Sequence, residues 1–492
     1  MSSEARIPLV VSVTGHRQIR ETDRESIENS VRATLEKLKK DLPTTPLKLM
    51  TNLAEGADTL CARIALELGI PLLAALPQPL EKYRACFAGA ALTEFDELTA
   101  RAELVFTVPD TEERPADATR RFDYRQGGLY LVTHSQLLLA LWEGNTPKPG
   151  GCGTAEIVDC ARSRRLPVIR ISCPRDDSCD LPAGEVRELG DREELKRLER
   201  FNAEAEKLPP REEPGIFPRS YYAAAAISRR AAKKYRLSLR LTAILGTALA
   251  LSLLLFDEME LAHMIFACGG LLLLLAAERR LTVRSRCQED YLDCRVLAES
   301  LRVQACLRHA GSGISMSSLF TLYQRTVTGW ITRTVPVLEI GADAGEKHDI
   351  SELWLQSQLD YHLKTRKKNA GRSRRNSAVL RTVRTVSVLI YLTAAVLEYV
   401  YPVSWLRSAV CISLGFFAAA SLFLSLYFGR LSVDRHSADS AMMAEFYQTM
   451  LDRMRADGQT EELLEECARE EILENANWYA YTSENAPDLS FL

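Results

Sequence analysis

Through its first third the chain alternates short, unbroken apolar runs with longer amphipathic stretches. The apolar runs are Pro8–Val13, Leu47–Thr51, Pro71–Leu76, Glu103–Val108, Leu137–Trp142 and Leu166–Ile171. Continuous hydrophobicity over so few residues marks strands covered on both faces, as in a parallel sheet. Between the first two runs, Ile27, Val31, Leu35 and Leu38 fall on one helical face behind the capping-box pair Thr22 and Glu25. A second helix starts at Thr59 and is stopped by Gly69; further helices are expected over about Ala118–Ser135 and Ile157–Ser163. Strands and helices alternating at this spacing predict an α/β doubly wound parallel sheet of Rossmann-like type over residues 1–175.

The pattern then changes. Residues 176–236 read as a charged linker, in which Arg192–Lys207 forms a solvated helix and Tyr221–Ala232 begins a juxtamembrane one. Beyond it lie four apolar segments in two hairpins: Leu241–Phe256 with Leu261–Ala277, and Val386–Val400 with Ala409–Phe428. Their lengths suit bilayer-spanning helices, so an all-α membrane region with four transmembrane helices is expected to follow the sheet. Its expected divisions are a first hairpin with a helix after it (237–310), a helical loop (311–380), and a second hairpin with a helical tail (381–492). Basic clusters precede Leu241, follow Ala277, precede Val386 and follow Phe428. By the positive-inside rule both termini and the long middle loop face the cytosol of a multi-pass protein in the inner, cytoplasmic membrane. Small residues recur at helix-contact spacing in Gly246/Ala250 and Gly415/Ala419. No ionisable residue sits near the middle of a span, which disfavours a proton-relay transporter.

Composition narrows the classes further. The formal net charge of −3 leaves no basic field for direct nucleic-acid binding. The 12 cysteines are scattered, with no Cys-x-x-Cys pair and no zinc-ligand spacing, so neither a metal nor another cofactor is expected. The N-terminus has no apolar run long enough for a signal peptide.

Three loops carry candidate chemistry, all placed after strands, where open α/β sheets bind ligands. The first is Gly15-His16-Arg17, whose guanidinium suits a phosphate. His16 is either a donor to ligand or a packed core histidine. The second is Gly56-Ala57-Asp58; Asp58 either accepts from a ribose hydroxyl or caps its own helix. The third runs through Gly150, Gly151, Gly153 and Thr154 into a helix, the arrangement that cradles phosphate, with the Thr154 hydroxyl as donor and helix cap. It is not a Walker A loop, because Lys148 precedes the glycines. It is not a dinucleotide fingerprint either, because Glu156 stands where the third glycine belongs.

These motifs, together with Leu137–Gly144 and Pro149–Glu156, resemble the SLOG superfamily, the Rossmann-like folds that include DprA proteins and LOG phosphoribohydrolases. The resemblance implies a pocket for a nucleotide-derived ligand. In LOG enzymes the motif's last glutamate serves hydrolysis; the matching position here is Ile157, and Glu156 lies one residue early, rotated by about 100°. In the second half, Asp290-Tyr291, Arg295, Ala298–Gln304 and Glu474–Trp478 are similar to SLATT membrane domains of bacterial conflict systems. The combined resemblance implies a sensor–effector more than an enzyme. A second messenger made by a partner synthase binds the loops, and oligomeric helices permeabilise the membrane in antiphage abortive infection. Its partners are then the small molecule, membrane lipid and further copies of the chain. The alternative is a membrane-tethered LOG-like N-glycosidic hydrolase using Glu156, or another carboxylate such as Glu143; a scaffold with a vestigial pocket is a third.

Overall fold

In the computed structural model, residues 5–110, 112–116, 119–147, 153–175, 182–209, 215–341, 347–400 and 403–484 are described. Two compact units emerge. The first comprises Met1–Ala224, Leu297–Arg308 and Gly313–Gly345; the second comprises Ala225–Val296, His309–Ser312 and Glu346–Leu492.

The first unit is built on seven strands: β1 (Leu9–Gly15), β2 (Leu47–Thr51), β3 (Leu72–Leu76), β4 (Leu104–Thr107), β5 (Leu137–Leu141), β6 (Val168–Ile171) and β7 (Val186–Leu189). Interleaved with them are α1 (Glu21–Asp41), α2 (Ala57–Glu67), α3 (Leu80–Arg84), α4 (Gly89–Arg101), α5 (Arg120–Thr133) and α6 (Thr154–Ser163). The sheet order is β4-β3-β2-β1-β5-β6-β7. Every pairing is parallel except that of β6 with β7. Each of the six apolar runs becomes a strand. The seventh lies in the charged stretch and is polar and exposed, an edge strand that no hydrophobic pattern would reveal. The chain winds outward from β1 to β4, then returns to pair β5 with β1, so the order reverses between β1 and β5.

Beyond the sheet the chain is helical: α7 (Glu193–Glu206), α8 (Arg219–Glu258), α9 (Met264–Ser285), α10 (Cys287–His309), α11 (Met316–Leu319), α12 (Leu322–Val327) and α13 (Gly329–Val337). A π-helical turn at Ser351–Gln356 leads into α14 (Ser357–Val400), α15 (Ser404–Leu431), α16 (Val433–Asp457) and α17 (Glu461–Glu484).

The α7 helix is not the solvated element its charges suggest. Leu195, Leu198, Phe201 and Ala205 form a narrow buried stripe. Asn202 fastens it to the start of the sheet, accepting from Ile7 N at 2.8 Å and donating to Ile7 O at 2.9 Å. Residues 313–341, expected within a helical loop, also join this unit. Trp330 of α13 lies 6.4 Å from the Phe201 ring, Arg333 pairs with Glu194, and Val337 enters the core beside Val10, Met50 and Tyr130. Glu339 accepts from Met316 N at 2.9 Å and Ser315 Oγ at 2.7 Å, with His134 Nε2 3.8 Å away.

Among the described residues three helical segments are long and apolar enough to cross a membrane: Arg219–Glu258, Ser351–Leu397 and Ser404–Asp457. The segment Leu261–Ala277, expected as a fourth span, is not among them. Its helix begins only at Met264, and the charges Glu278, Arg279 and Arg280 follow directly. The apolar part from Met264 to Ala277 is therefore ~21 Å long at 1.5 Å per residue, against a hydrocarbon core of ~30 Å. The small residues seat neighbours. A Cβ on Gly246 would lie 2.4 Å from the Phe423 ring, and one on Gly415 would lie 2.6 Å from Leu254. These reciprocal contacts make α8 and α15 antiparallel, and Arg240 Nε donates to Tyr427 Oη at 3.0 Å farther along the same seam. Arg286 and Ser432 are left-handed (φ 46° and 47°); the first divides α9 from α10 and the second divides α15 from α16.

The tail closes on the second unit through the residues that carry the membrane-domain resemblance. Trp478 takes the Arg295 guanidinium at 4.3 Å from its ring centre and the edge of Tyr291 at 5.6 Å. Glu471, buried, accepts from Trp354 Nε1 and from Tyr447 Oη, each at 2.7 Å.

Candidate functional site

The order reverses between β1 and β5, and the carboxyl ends of strands at such a reversal are where an open α/β sheet has its ligand crevice. Two of the three expected loops are locked together there. Ala57 N donates to His16 O at 3.0 Å, and His16 N donates to Leu141 O at 3.2 Å. Gly15 and Gly56 make that joint possible. A Cβ on Gly15 would come within 2.3 Å of Ala57 Cβ; one on Gly56, whose φ is +96°, would strike Arg17 O at 2.2 Å. Both glycines therefore serve the packing of loop on loop.

His16 is buried, with both ring nitrogens engaged. Arg175 Nε donates to Nδ1 at 3.2 Å, Glu143 N donates to Nε2 at 3.4 Å, and the Glu143 carboxylate lies 3.9 Å from Nε2. Burial and the nearby Arg175 charge lower the His16 pKa to about 4, so the ring is neutral at physiological pH. Arg175 had no sequence signal, because its partnership with His16 is set by the fold alone.

Arg17 is exposed and lies over the Tyr124 ring, 5.0 Å from its centre. Among the described residues it holds no carboxylate in an ion pair. Asp58 is buried beside it as the second residue of α2, where Gly56 is the N-cap; its Oδ2 accepts from Ala54 N at 3.3 Å. Burial raises the Asp58 pKa to about 6 from 3.8, with opposing contributions from the Thr51 hydroxyl, backbone donors and Arg17. Since the folded value lies above the unfolded one, native stability falls as pH rises between 3.8 and about 6. The full penalty, roughly 3 kcal/mol, applies above that window. Asp58→Asn is therefore expected to melt above the parent at pH 7.5, with the difference closing toward pH 4. A difference independent of pH in thermal melts would show that the Asp58 charge is not what destabilises the site.

Two further groups, neither visible in the sequence, point into the same neighbourhood. The Asn52 amide follows β2 and packs against Gly127 of α5. One helical turn earlier on α5, Asp123 accepts from Gln78 Nε2 at 2.5 Å, which fixes the Gln78 orientation. Among the described residues Asn52 Oδ1 and Gln78 Oε1 are both buried without a donor. Buried acceptors left unpaired are rare and costly.

On the other side of the crevice, Gly153 is the N-cap of α6 and Thr154 the first helical residue, so Thr154 is not the cap. Glu156 turns back on its own helix end: its Oε2 accepts from Gly153 N at 3.1 Å. Ile157, at the position of the LOG glutamate, is buried in the core with Val158 and Trp142 and meets Gly128 of α5. Gly150 and Gly151 lie outside the described residues.

No family model and no curated protein matches the chain. Among solved structures it is similar to DNA processing protein A (DprA) from Streptococcus pneumoniae, at 17% identity and a TM-score of 0.25. That match covers 35% of this chain and 53% of the other, so the chain spans about half the length of that relative.

Proposed function

We propose that the first unit senses a nucleotide-derived second messenger, and that the second unit answers by permeabilising a membrane. The observation that carries the reading is the polarity of the crevice. An exposed Arg17 that among the described residues has no carboxylate in an ion pair stands beside Asp58, near the oxygens of Asn52 and Gln78 that meet no described donor. A nucleotide offers oxyanions for the first and N–H or O–H donors for the others. Donors that reach Asp58 would also favour its charged form, so ligand binding offsets a cost the empty site carries. The spans of the second unit, with their exposed apolar faces, supply the membrane side. In this reading the protein sits in the cytoplasmic membrane, α9 completes a short fourth crossing with its flanking charges at the interface, and both termini lie in the cytosol. It works as a homo-oligomer downstream of a nucleotide-signal synthase, in antiphage defence.

The hydrolase alternative draws no support from Glu156, which is engaged in capping α6. The test is to reconstitute the full chain in dye-loaded liposomes and to add a panel of cyclic oligonucleotides, ADP-ribose derivatives and mononucleotides. One of these is expected to release dye. Arg17→Ala should weaken its binding by about tenfold to a hundredfold, the range of a charged hydrogen bond, and abolish release. Glu156→Gln should leave both intact. Ligand breakdown without dye release, lost in Glu156→Gln, would replace this reading with the tethered hydrolase.

A further inference from the structure

Arg170 lies in β6, an unusual place for a guanidinium: its neighbours in the sheet are Ala140 on β5 and Arg187 on β7. Its register partner Ala140 belongs to the apolar face under α6, with Leu138, Trp142 and Val168. Two of its nitrogens, Nε and Nη2, are buried, and among the described residues they meet no acceptor. The third, Nη1, rests against the backbone of Gly144, where a Cβ would stand 2.8 Å away. Gly144 also has a φ of +98°, so both its conformation and its missing side chain suit the approach of the arginine.

A guanidinium cannot shed its charge, because it is not deprotonated in proteins. Burying it with donors unanswered is costly, and nothing in the packing of β6 requires it, since Val168 and Ile171 show what this strand otherwise selects. The location gives the reason. Thr14, Ala140 and Arg170 lie in one row across β1, β5 and β6, which puts Arg170 ~10 Å from β1 at ~4.8 Å per strand. Gly144 begins the segment that leads from β5 to α6. Arg170 therefore stands on the α6 side of the crevice, and Arg17 on the α5 side.

We infer that Arg170 is an anion-binding residue of this crevice, presenting Nε and Nη2 as a fork to one oxyanion of the ligand. Two oxygens of a phosphate fit that fork, as a carboxylate does, and the guanidinium then gains the acceptors it lacks. The inference deepens the nucleotide reading and rests on it for the ligand's identity only. It assigns the ligand two separated anionic contacts, one at Arg17 and one at Arg170, and so favours a messenger with at least two phosphate groups over a nucleoside monophosphate.

The test uses the detergent-solubilised full chain and inorganic pyrophosphate as probe, with thermal melting as the readout. Pyrophosphate is expected to raise the melting temperature of the parent and to leave that of Arg170→Met unchanged, because a ligand stabilises only the form that binds it. Without any anion, Arg170→Met should melt at or above the parent, as happens when an unpaired buried charge is replaced by a similar apolar volume. Arg170→Lys keeps the charge but loses the fork, and should recover only part of the response. A pyrophosphate response retained in Arg170→Met overturns the inference. So does a parent that does not respond, or an Arg170→Met that melts well below the parent, since the arginine would then be structural. If pyrophosphate acts through Arg170 while no nucleotide of the panel binds, the anion site stands and the messenger reading falls.

Discussion

Substituting alanine for Gly56 should cost the first unit most of its stability. The new Cβ would sit 2.2 Å from Arg17 O, 2.5 Å from Arg17 C and 2.7 Å from His16 O, all of them backbone atoms that no rotamer change can move aside. The φ of +96° adds conformational strain of about 1–3 kcal/mol for a residue with a side chain. Relief requires the loop after β1 to separate from the start of α2, which breaks the Ala57 N to His16 O bond and removes cover from Leu53, Ala57 and Leu60. The expected total exceeds about 3 kcal/mol, a large share of the 5–15 kcal/mol that holds a typical domain. Thermal melting of the full chain in detergent should show an early transition, with proteolysis opening first near residues 52–60. A variant that melts with the parent would mean the two loops are free to move apart, and the rigid crevice described above would be wrong.

The second large effect is expected at Glu471. Its Oε2 is the shared acceptor for Trp354 Nε1 and Tyr447 Oη, and it ties α17 to the π-helical turn and to α16. Glu471→Leu removes that acceptor and leaves each donor about 1–3 kcal/mol worse off. Part is returned because a buried carboxylate no longer needs desolvating. Glu471→Gln keeps a carbonyl oxygen in place and should lose much less. Limited proteolysis of the full chain measures the difference: α17 should become cleavable in Glu471→Leu and stay protected in Glu471→Gln. Equal protection in both would show that apolar packing by Leu463, Leu464 and Ile472 holds the tail without the hydrogen bonds.

What the sequence revealed, and what it concealed, follows from the range of the interactions. The six buried strands were legible because burial on both faces writes itself as an unbroken apolar run. β7 was not, since in the edge strand Val186–Leu189 only Leu189 packs against the core and the other side chains are exposed. The α7 helix looked solvated because its charges outnumber its stripe, yet one buried asparagine and four apolar residues suffice to dock it. The hairpin reading counted Leu261–His263 into a span, but the helix does not begin until Met264. At the site, local motifs pointed to the loops that meet at the β1/β5 reversal. They did not reveal the packing work of Gly15 and Gly56, because a glycine needed for contact with another loop looks the same in sequence as one needed for contact with a ligand. Arg175, Asn52, Gln78 and Arg170 carry no motif. Their positions acquire meaning only when strands far apart in the chain become neighbours.

The left-handed residues Arg286 and Ser432 bear on how the second unit handles force. A continuous helix transmits rotation about its axis as a stiff shaft does. At Ser432 the hydrogen-bond ladder is interrupted at one residue, and the same happens at Arg286. α15 and α16, like α9 and α10, are therefore coupled as two rods through a single-residue joint: a push or a tilt carries across, while torque is largely dissipated. Any displacement of the membrane-capable part of α15 should reach α16 as a change of angle, so what this joint passes on is tilt rather than twist.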